Sequence, residues 1–180
     1  QVDTPEGIYR RPRTPFVAAF VGEGNLWEAR VEEGPPGGDT LWVRVGPYRW
    51  QVAAPIPDEV PGGATQGTLL APPAPPAPGS VVHVVVRPER VRLLDDREAG
   101  RPDGAGGVNR LEARLVDTEY LGHSVLVQGA FDGGQVRALI PGEGAESLGR
   151  RRGEAVLLAF EPSAAWVVPG GQEPWKRQRT

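Results

Sequence analysis

Cysteine and methionine are absent from the 180-residue chain, and histidine and lysine are almost absent. Without cysteine there is no disulfide, no thiol nucleophile and no thiolate ligand for a metal ion. The two histidines, His83 and His123, are far apart, so a metal centre built on several imidazoles is excluded. No run of about 18 apolar residues occurs, and no membrane-spanning helix is predicted.

The lack of methionine indicates how much of the protein the sequence represents, and the net charge indicates which partners it can bind. A complete translation product starts with methionine, so we expect this sequence to be part of a longer protein. The net charge is −3, whereas proteins that bind nucleic acid usually carry a basic surface. We therefore expect no nucleic-acid partner.

Alternating apolar and polar residues predict strands from Asn25 onward. Trp27, Ala29 and Val31 alternate with charged residues, as expected for a half-buried strand. The other segments with this period, or with runs of β-branched residues, are 41–45, 81–86, 111–116, 124–128, 136–140, 155–160 and 165–168. Short strands between glycine- and proline-rich turns predict a mainly β fold, either a sandwich or a barrel.

Other parts of the chain do not have the strand pattern. Within residues 1–22, two Thr-Pro pairs begin short apolar stretches at helical spacing, which predicts two short helices. The segment 71–79 alternates proline with alanine and predicts polyproline II. The segment 95–107 and the tail 170–180 are rich in charge or glycine, and we expect both to be flexible.

The strand region contains an internal repeat. Residues 25–57 align without a gap with residues 109–141, and eleven of these 33 positions are identical. Beyond Pro57 the offset falls from 84 to 74, because the first copy carries a proline-rich insertion at about 62–78. The repeats are thus predicted at about 25–94 and 109–168. One copy alone would leave an open edge, so we expect two copies to close into one barrel or two fused barrels.

Four segments, in this order, resemble the C-terminal regulatory domain of the ATP-binding subunits of bacterial ABC importers. They are QVDTPEGIYRRP…FVAAFVGEGNL at 1–26, VRPERVRL at 86–93, NRLEARLV…EYLGHS at 109–124 and FEP…AWVVP at 160–169. The subgroup that imports polyamines, iron(III) or related solutes is the most similar. The resemblance implies an OB-like β-barrel of the TOBE type at 23–169, preceded at 1–22 by the helical end of a nucleotide-binding domain.

The resemblance also implies what this part of the protein does. The chain has no G-x-x-x-x-G-K-[ST] phosphate loop, so we expect no enzymatic activity and no cofactor in it. ATP and Mg²⁺ are implied for the upstream domain only. The expected role is a regulatory domain that holds a homodimer of importer ATPases together, on the cytoplasmic face of the plasma membrane and bound to membrane permease subunits.

Candidate contact residues follow from the same resemblance. Glu119, Tyr120 and Leu121 are the residues that we expect to lie in the dimer or regulatory contact. An alternative function is an OB-type module that binds oxyanions or oligonucleotides. Thr40 and Ser124 are matched hydroxyl residues that follow glycine-containing turns, and they are the candidate anion contacts.

Two further expectations concern side-chain positions. Trp42 and Trp50 are candidates for outward-facing positions that could stack nucleic-acid bases, whereas Trp27 is expected in the core. The pairs Glu28–Arg30 and Glu112–Arg114 occupy equivalent positions in the two repeats, and we expect them to be outward ion pairs.

Overall fold

The computed structural model describes residues 24–35, 40–53, 75–94, 107–143, 145, 148 and 152–169. The predicted helices within 1–22, the tail 170–180, the segment 95–106 and most of the proline-rich insertion lie outside these residues. The strands are β1 Asn25–Glu32, β2 Thr40–Val45, β3 Tyr48–Ala53, β4 Val81–Val86, β5 Arg92–Leu93, β6 Asn109–Tyr120, β7 Ser124–Phe131, β8 Gly134–Pro141, β9 Ala155–Phe160 and β10 Ala165–Pro169. Short 3-10 helices occupy Pro88–Arg90 and Pro162–Ala164.

The ten strands form two five-stranded halves, as expected for an OB-like β fold. Half 1 is a closed barrel with the strand order β1-β2-β3-β10-β4. Half 2 is a sheet with the order β5-β9-β6-β7-β8. Neighbouring strands are antiparallel except β10 and β3, which run parallel through the pair Trp166 and Ala53. The prediction of a mainly β, OB-like architecture is confirmed.

Each half contains one strand from the other repeat. β5 belongs to the first repeat and pairs with β9 of the second, through Arg92–Ala159 and Leu93–Leu158. β10 belongs to the second repeat and pairs with β4 of the first along its whole length. Neither repeat can therefore complete its own sheet, and the two halves are interlocked.

The strand registers confirm the internal repeat. Asn25 pairs with Val86 in half 1, and the equivalent Asn109 pairs with Phe160 in half 2. The offsets are 84 for the first residue of each pair and 74 for the second, which are the offsets of the sequence alignment. The 3-10 helices Pro88–Arg90 and Pro162–Ala164 obey the second offset as well.

One continuous apolar core runs through both halves. Trp27 and Trp50 lie in its centre with ring centroids 5.2 Å apart, next to Phe131 and Phe160 from the other repeat. The indole nitrogens donate across the junction, Trp27 to the carbonyl of Gln135 at 2.7 Å and Trp50 to that of Arg110 at 2.9 Å. Buried indoles need such acceptors, so these two bonds fix how the halves fit together.

Candidate functional site

The hairpin of β6 and β7 in half 2 extends beyond the strand that pairs with β6 on its other side. The last residue of β6 paired with β9 is Arg114, although β6 continues to Tyr120. Past Leu115, whose backbone still bonds to Glu154 and Gly153, β6 pairs only with β7. We call residues 116–125 the hairpin arm.

A β-bulge sets the orientation of the hairpin arm. The β6–β7 register shifts between Leu115, which faces Gly129, and Asp117, which faces Gln128. Val116 is therefore the extra residue, and a bulge of this kind bends and twists its strand. Beyond it, Thr118 and Tyr120 lie opposite the core residues Val127 and Val125.

The hairpin arm exposes apolar surface at its tip and at its base. Tyr120 is 69% exposed, Leu121 46% and Val116 44%, and these are three of the four large apolar residues exposed within the described part of the chain. Glu119 is exposed beside them and faces Leu126. The structure thus brings the three predicted contact residues together at one exposed tip.

One edge of the hairpin arm carries no partner strand among the described residues. The N–H of Leu121 donates to the carbonyl of Ser124, so alternate residues from Asp117 to Leu121 direct their backbone polar groups toward β7. Thr118 and Tyr120 direct theirs away from it. The Thr118 N–H is bound by the Asp117 carboxylate at 3.0 Å. An edge with this geometry can pair with or contact another chain.

A cleft of about 260 Å³ runs beside this edge. Its lining residues come from β6 and from the connection between β8 and β9, and they are Leu115, Asp117, Thr118, Leu148 and Arg152. The Arg152 guanidinium lies 4.0 Å from the Asp117 carboxylate, and both side chains are mostly exposed. The cleft is open and polar at its rim.

Sequence reasoning missed Val116 and Asp117. The alignment of the repeats could have indicated them. The strand pattern of the first copy ends at Gly34-Pro35, whereas the second copy contains no glycine or proline until after Leu121. The uninterrupted stretch predicts a longer strand in the second copy.

The two candidate anion contacts lie in different halves. Thr40 begins β2, and its hydroxyl accepts a hydrogen bond from the Gln51 amide at 3.4 Å. Ser124 begins β7 opposite Pro141, and it is buried. Within the described ranges, no hydrogen bond or strand pairing joins Thr40 to Ser124, so the structure does not assemble them into one site.

The aromatic candidates for base stacking are placed as follows. The core position of Trp27 is confirmed, but the outward position considered for Trp50 is wrong, because this side chain is only 1% exposed. Trp42 is partly exposed, and the Arg49 guanidinium lies 4.2 Å from its ring centroid. That cation occupies a face of the indole on which a base would have to stack.

The expected ion pairs are replaced by another contact. Arg30 donates to the carbonyl of Gly79 at 2.9 Å, and the equivalent Arg114 donates to that of Gly153 at 2.7 Å. The four charged side chains do face outward, but the prediction that glutamates pair with these arginines is wrong. Each arginine reaches along its strand to the turn before the neighbouring strand, where a carbonyl is available.

An acidic residue on half 1 is held by two arginines. The Glu32 carboxylate accepts hydrogen bonds from Arg44 and Arg49. Hydrogen bonding from Arg44 is the main cause of a lowered pKa of Glu32; partial burial opposes the shift, and Arg49 adds to it. This cluster ties β1 to β2 and β3 on the outside of the barrel.

None of the described segments forms a helix with the length and apolar character needed to cross a membrane. Across the described ranges, no three histidine, aspartate or glutamate side chains gather in a way that could hold a metal ion.

Comparison with known proteins identifies the class of domain. Residues 84–168 match the TOBE domain family. The spermidine/putrescine import ATP-binding protein of Frankia alni is 30% identical over 174 residues, which is 94% of this chain and 33% of that protein. An iron(III) import ATP-binding protein of Rhizobium meliloti is 33% identical over 122 residues, 68% of this chain and 25% of that protein.

A solved structure supports the fold. A cytoplasmic molybdate-binding protein, in a form with molybdate bound, superposes with a TM-score of 0.58 over 81% of this chain and 96% of that one, at 17% sequence identity. Residues 84–168 therefore resemble a TOBE domain, and 94% of the chain is similar to part of an ABC importer ATP-binding protein. It spans about a third of the length of the curated relatives it matches.

Proposed function

We propose that this chain is the regulatory and dimerisation part of an ABC importer ATP-binding subunit that energises uptake of a small solute. The observation that carries the proposal is the similarity, along 94% of the chain, to import ATP-binding proteins. The names of these relatives favour a polyamine, with iron(III) as the next candidate. ATP hydrolysis belongs to an upstream domain of the same protein.

The hairpin arm supplies the contact between two copies. Tyr120, Leu121 and Val116 would bury apolar surface, and burial is favourable by roughly 25 cal/mol per Å². The open edge at Tyr120 and the Thr118 carbonyl offer further hydrogen bonds, whereas the Thr118 N–H is held by Asp117. A permanent contact of this kind keeps two ATPase subunits at a high effective concentration while their nucleotide sites open and close.

The remaining partners follow from the same role. The nucleotide-binding domain would precede this region in the chain, and membrane permease subunits would bind that domain. The assembly would be peripheral, on the cytoplasmic face of the plasma membrane. The mostly exposed arm belongs on the surface turned toward the second copy.

Uptake of labelled spermidine tests this proposal. Cells that depend on the full-length protein should lose most uptake when residues 24–169 are deleted, provided that the truncated ATPase is present at the same level. Uptake of labelled iron(III) under the same conditions distinguishes the two solutes. Undiminished uptake of both would contradict the proposed role.

Oxyanion binding is the second candidate. It is favoured by the fold shared with a molybdate-binding protein and by the buried hydroxyl residue Ser124. Titration calorimetry with molybdate, tungstate and sulfate tests it, with Thr40→Ala and Ser124→Ala as variants. Saturable heat that either variant abolishes would support this candidate, and absence of heat with all three anions would eliminate it.

A further inference from the structure

The barrel of half 1 has an apolar patch on its outside. Leu26, Val85 and Trp166 form one row across β1, β4 and β10, and Val168 lies next to this row. The alternate residues of the same strands, such as Val84, fill the barrel interior. β4 and β10 thus carry apolar residues on both faces, which is typical of strands covered on both sides, whereas β1 is apolar on its outer side only at Leu26. We call this patch the outer face.

The repeat provides an internal comparison. The half 2 positions equivalent to Leu26, Val85 and Trp166 are Arg110, Ala159 and Arg92, which are smaller or charged. The fold of one half therefore does not require large apolar residues there. The halves therefore differ at this face in the chemistry of the side chains and not in their burial, because Arg110 and Ala159 are buried as well.

The centre of the outer face is buried. Val85 is fully buried and Val168 is 2% exposed, and the partly buried apolar side chains that pack against them are Leu26 and Trp166. His83 and Arg87, on the same side of β4 as Val85, are buried as well, and the Arg87 guanidinium lies 5.8 Å from the centroid of the Trp166 ring. The Trp166 indole nitrogen is buried and has no hydrogen-bond acceptor among the described residues. A buried donor of this kind calls for a partner.

Chain connectivity tethers two segments next to the outer face, residues 14–22 before β1 and residues 54–70 after Ala53, which pairs with Trp166. The apolar pattern selects between them, because the apolar residues of 54–70 are dispersed among proline and glycine. β1 begins at Asn25, one residue from Leu26 in the apolar row, so residues 14–22 are tethered next to the outer face. They carry Phe16, Val17, Phe20 and Val21, which share one side of a helix. The tail 170–180 leaves from Pro169, at the opposite end beside Val82, and brings a single large apolar residue, Trp175.

We propose that residues 14–22 pack this apolar stripe on the outer face and supply a carbonyl acceptor to the Trp166 indole nitrogen. The segment then has a fixed position on the barrel and does not act as a flexible linker. Whatever precedes it in the protein is held at one orientation to the barrel. This packing is proposed independently of the proposed function. The further idea that it couples an upstream ATPase domain to the barrel rests on the proposed function.

Paramagnetic labelling of the intact 180-residue chain tests this contact, because a single cysteine can be placed in a protein that has none. Val81 is 43% exposed and lies on β4 at the border of the outer face. A nitroxide on Val81→Cys should broaden the amide NMR signals of residues 14–21. The matched control is Ala155→Cys, the exposed equivalent position on β9. It should leave these signals unchanged.

Two results would overturn the proposal. One is equal broadening of residues 14–21 by both labels or by neither. The other is selective broadening of residues 54–70 by the Val81 label, since that segment would then cover the outer face. Broadening of the tail is expected in any case, because the tail starts at Pro169, which pairs with Val82 beside the label.

A stability measurement provides a second readout. Phe16→Ser with Phe20→Ser should lower the melting temperature by about 4 °C or more, whereas Ile56→Ser should change it by less than about 1 °C. The reverse order would contradict the proposal. If the phenylalanine variant fails to fold, the labelling result decides, since it uses the native segment.

Discussion

Asn25 and Asn109 are equivalent residues of the two repeats, and each binds the backbone of the opposite half. The Asn25 amide donates to the carbonyl of Arg137 at 2.8 Å and accepts from its N–H at 2.6 Å. Asn109 does the same with Gln51, at 2.6 Å and 2.8 Å. Both asparagines are buried. Together with the exchanged strands β5 and β10, they hold the two halves in one arrangement.

Replacing Asn25 or Asn109 by alanine should destabilise the whole chain. Each change removes two hydrogen bonds and leaves a partly buried N–H and carbonyl unpaired, which costs about 1–3 kcal/mol per group left unsatisfied. Urea unfolding should show a loss of roughly 2 kcal/mol or more for each variant. Glu112→Ala, exposed on the same strand as Asn109, should stay within about 0.5 kcal/mol of wild type. A loss at only one asparagine would contradict their equivalence.

Gly46→Ala should be more damaging than Gly79→Ala. Both glycines have positive φ, at 54° and 86°, so both variants pay a backbone cost of about 1–2 kcal/mol. A Cβ at Gly46 would also lie 2.8 Å from the carbonyl oxygen of Asp132, in a turn of the other half, whereas one at Gly79 meets nothing within 4 Å. Thermal unfolding should separate the two variants by a further 1–3 kcal/mol or so. Equal losses would show that the two turns can move apart freely.

Glu32→Gln should reduce stability only where Glu32 is ionised. The lowered pKa in the folded state means that the carboxylate contributes stability above its unfolded pKa of about 4.5, and that this contribution is lost as the pH falls through the folded value. Because Arg44 and Arg49 are nearly half exposed, the loss at pH 7 should be about 0.2–1 kcal/mol. Urea unfolding of both proteins at pH 7 and at pH 2 measures it. A difference that persists at pH 2 would contradict the pairing.

Cleavage between the repeats should leave the halves together. A protease site placed within residues 95–106 would yield two pieces, each holding a strand that the other needs, β5 in one and β10 in the other. The cleaved protein should elute as one species by gel filtration and separate only in denaturant. Separation in native buffer would refute the interlocked topology.

Most strands were predictable because their residues alternate strictly or are β-branched. The runs at Val81–Val86 and Ala155–Phe160 give the bounds of β4 and β9 directly. β3 and β5 were missed as separate strands. β3 follows β2 after the two-residue turn Gly46-Pro47, and β5 has only two residues, so neither stands out as a run of its own. The exchange of β5 and β10 is a long-range pairing that no local pattern reports.

The candidate site was predictable in part. Glu119, Tyr120 and Leu121 came from the family resemblance, and the structure places them on an exposed tip. Their exposure depends on how far β6 runs beyond β9, which is a property of the sheet and not of the residues themselves. The outward position considered for Trp50 was wrong because the alternating pattern of β3 does not say which side of the strand faces the core. That side is known only once the strands that pair with β3 are known.

Sedimentation equilibrium of the 180-residue chain tests the dimer contact most directly. We expect dimers at tens of micromolar, and a monomer at the same concentration for Tyr120→Ser with Leu121→Ser. Val81→Ser, which removes an apolar residue of similar exposure from half 1, should leave the dimer intact. A wild-type chain that remains monomeric, or a Tyr120/Leu121 variant that remains dimeric, would contradict the assignment of the hairpin arm as the contact between two copies.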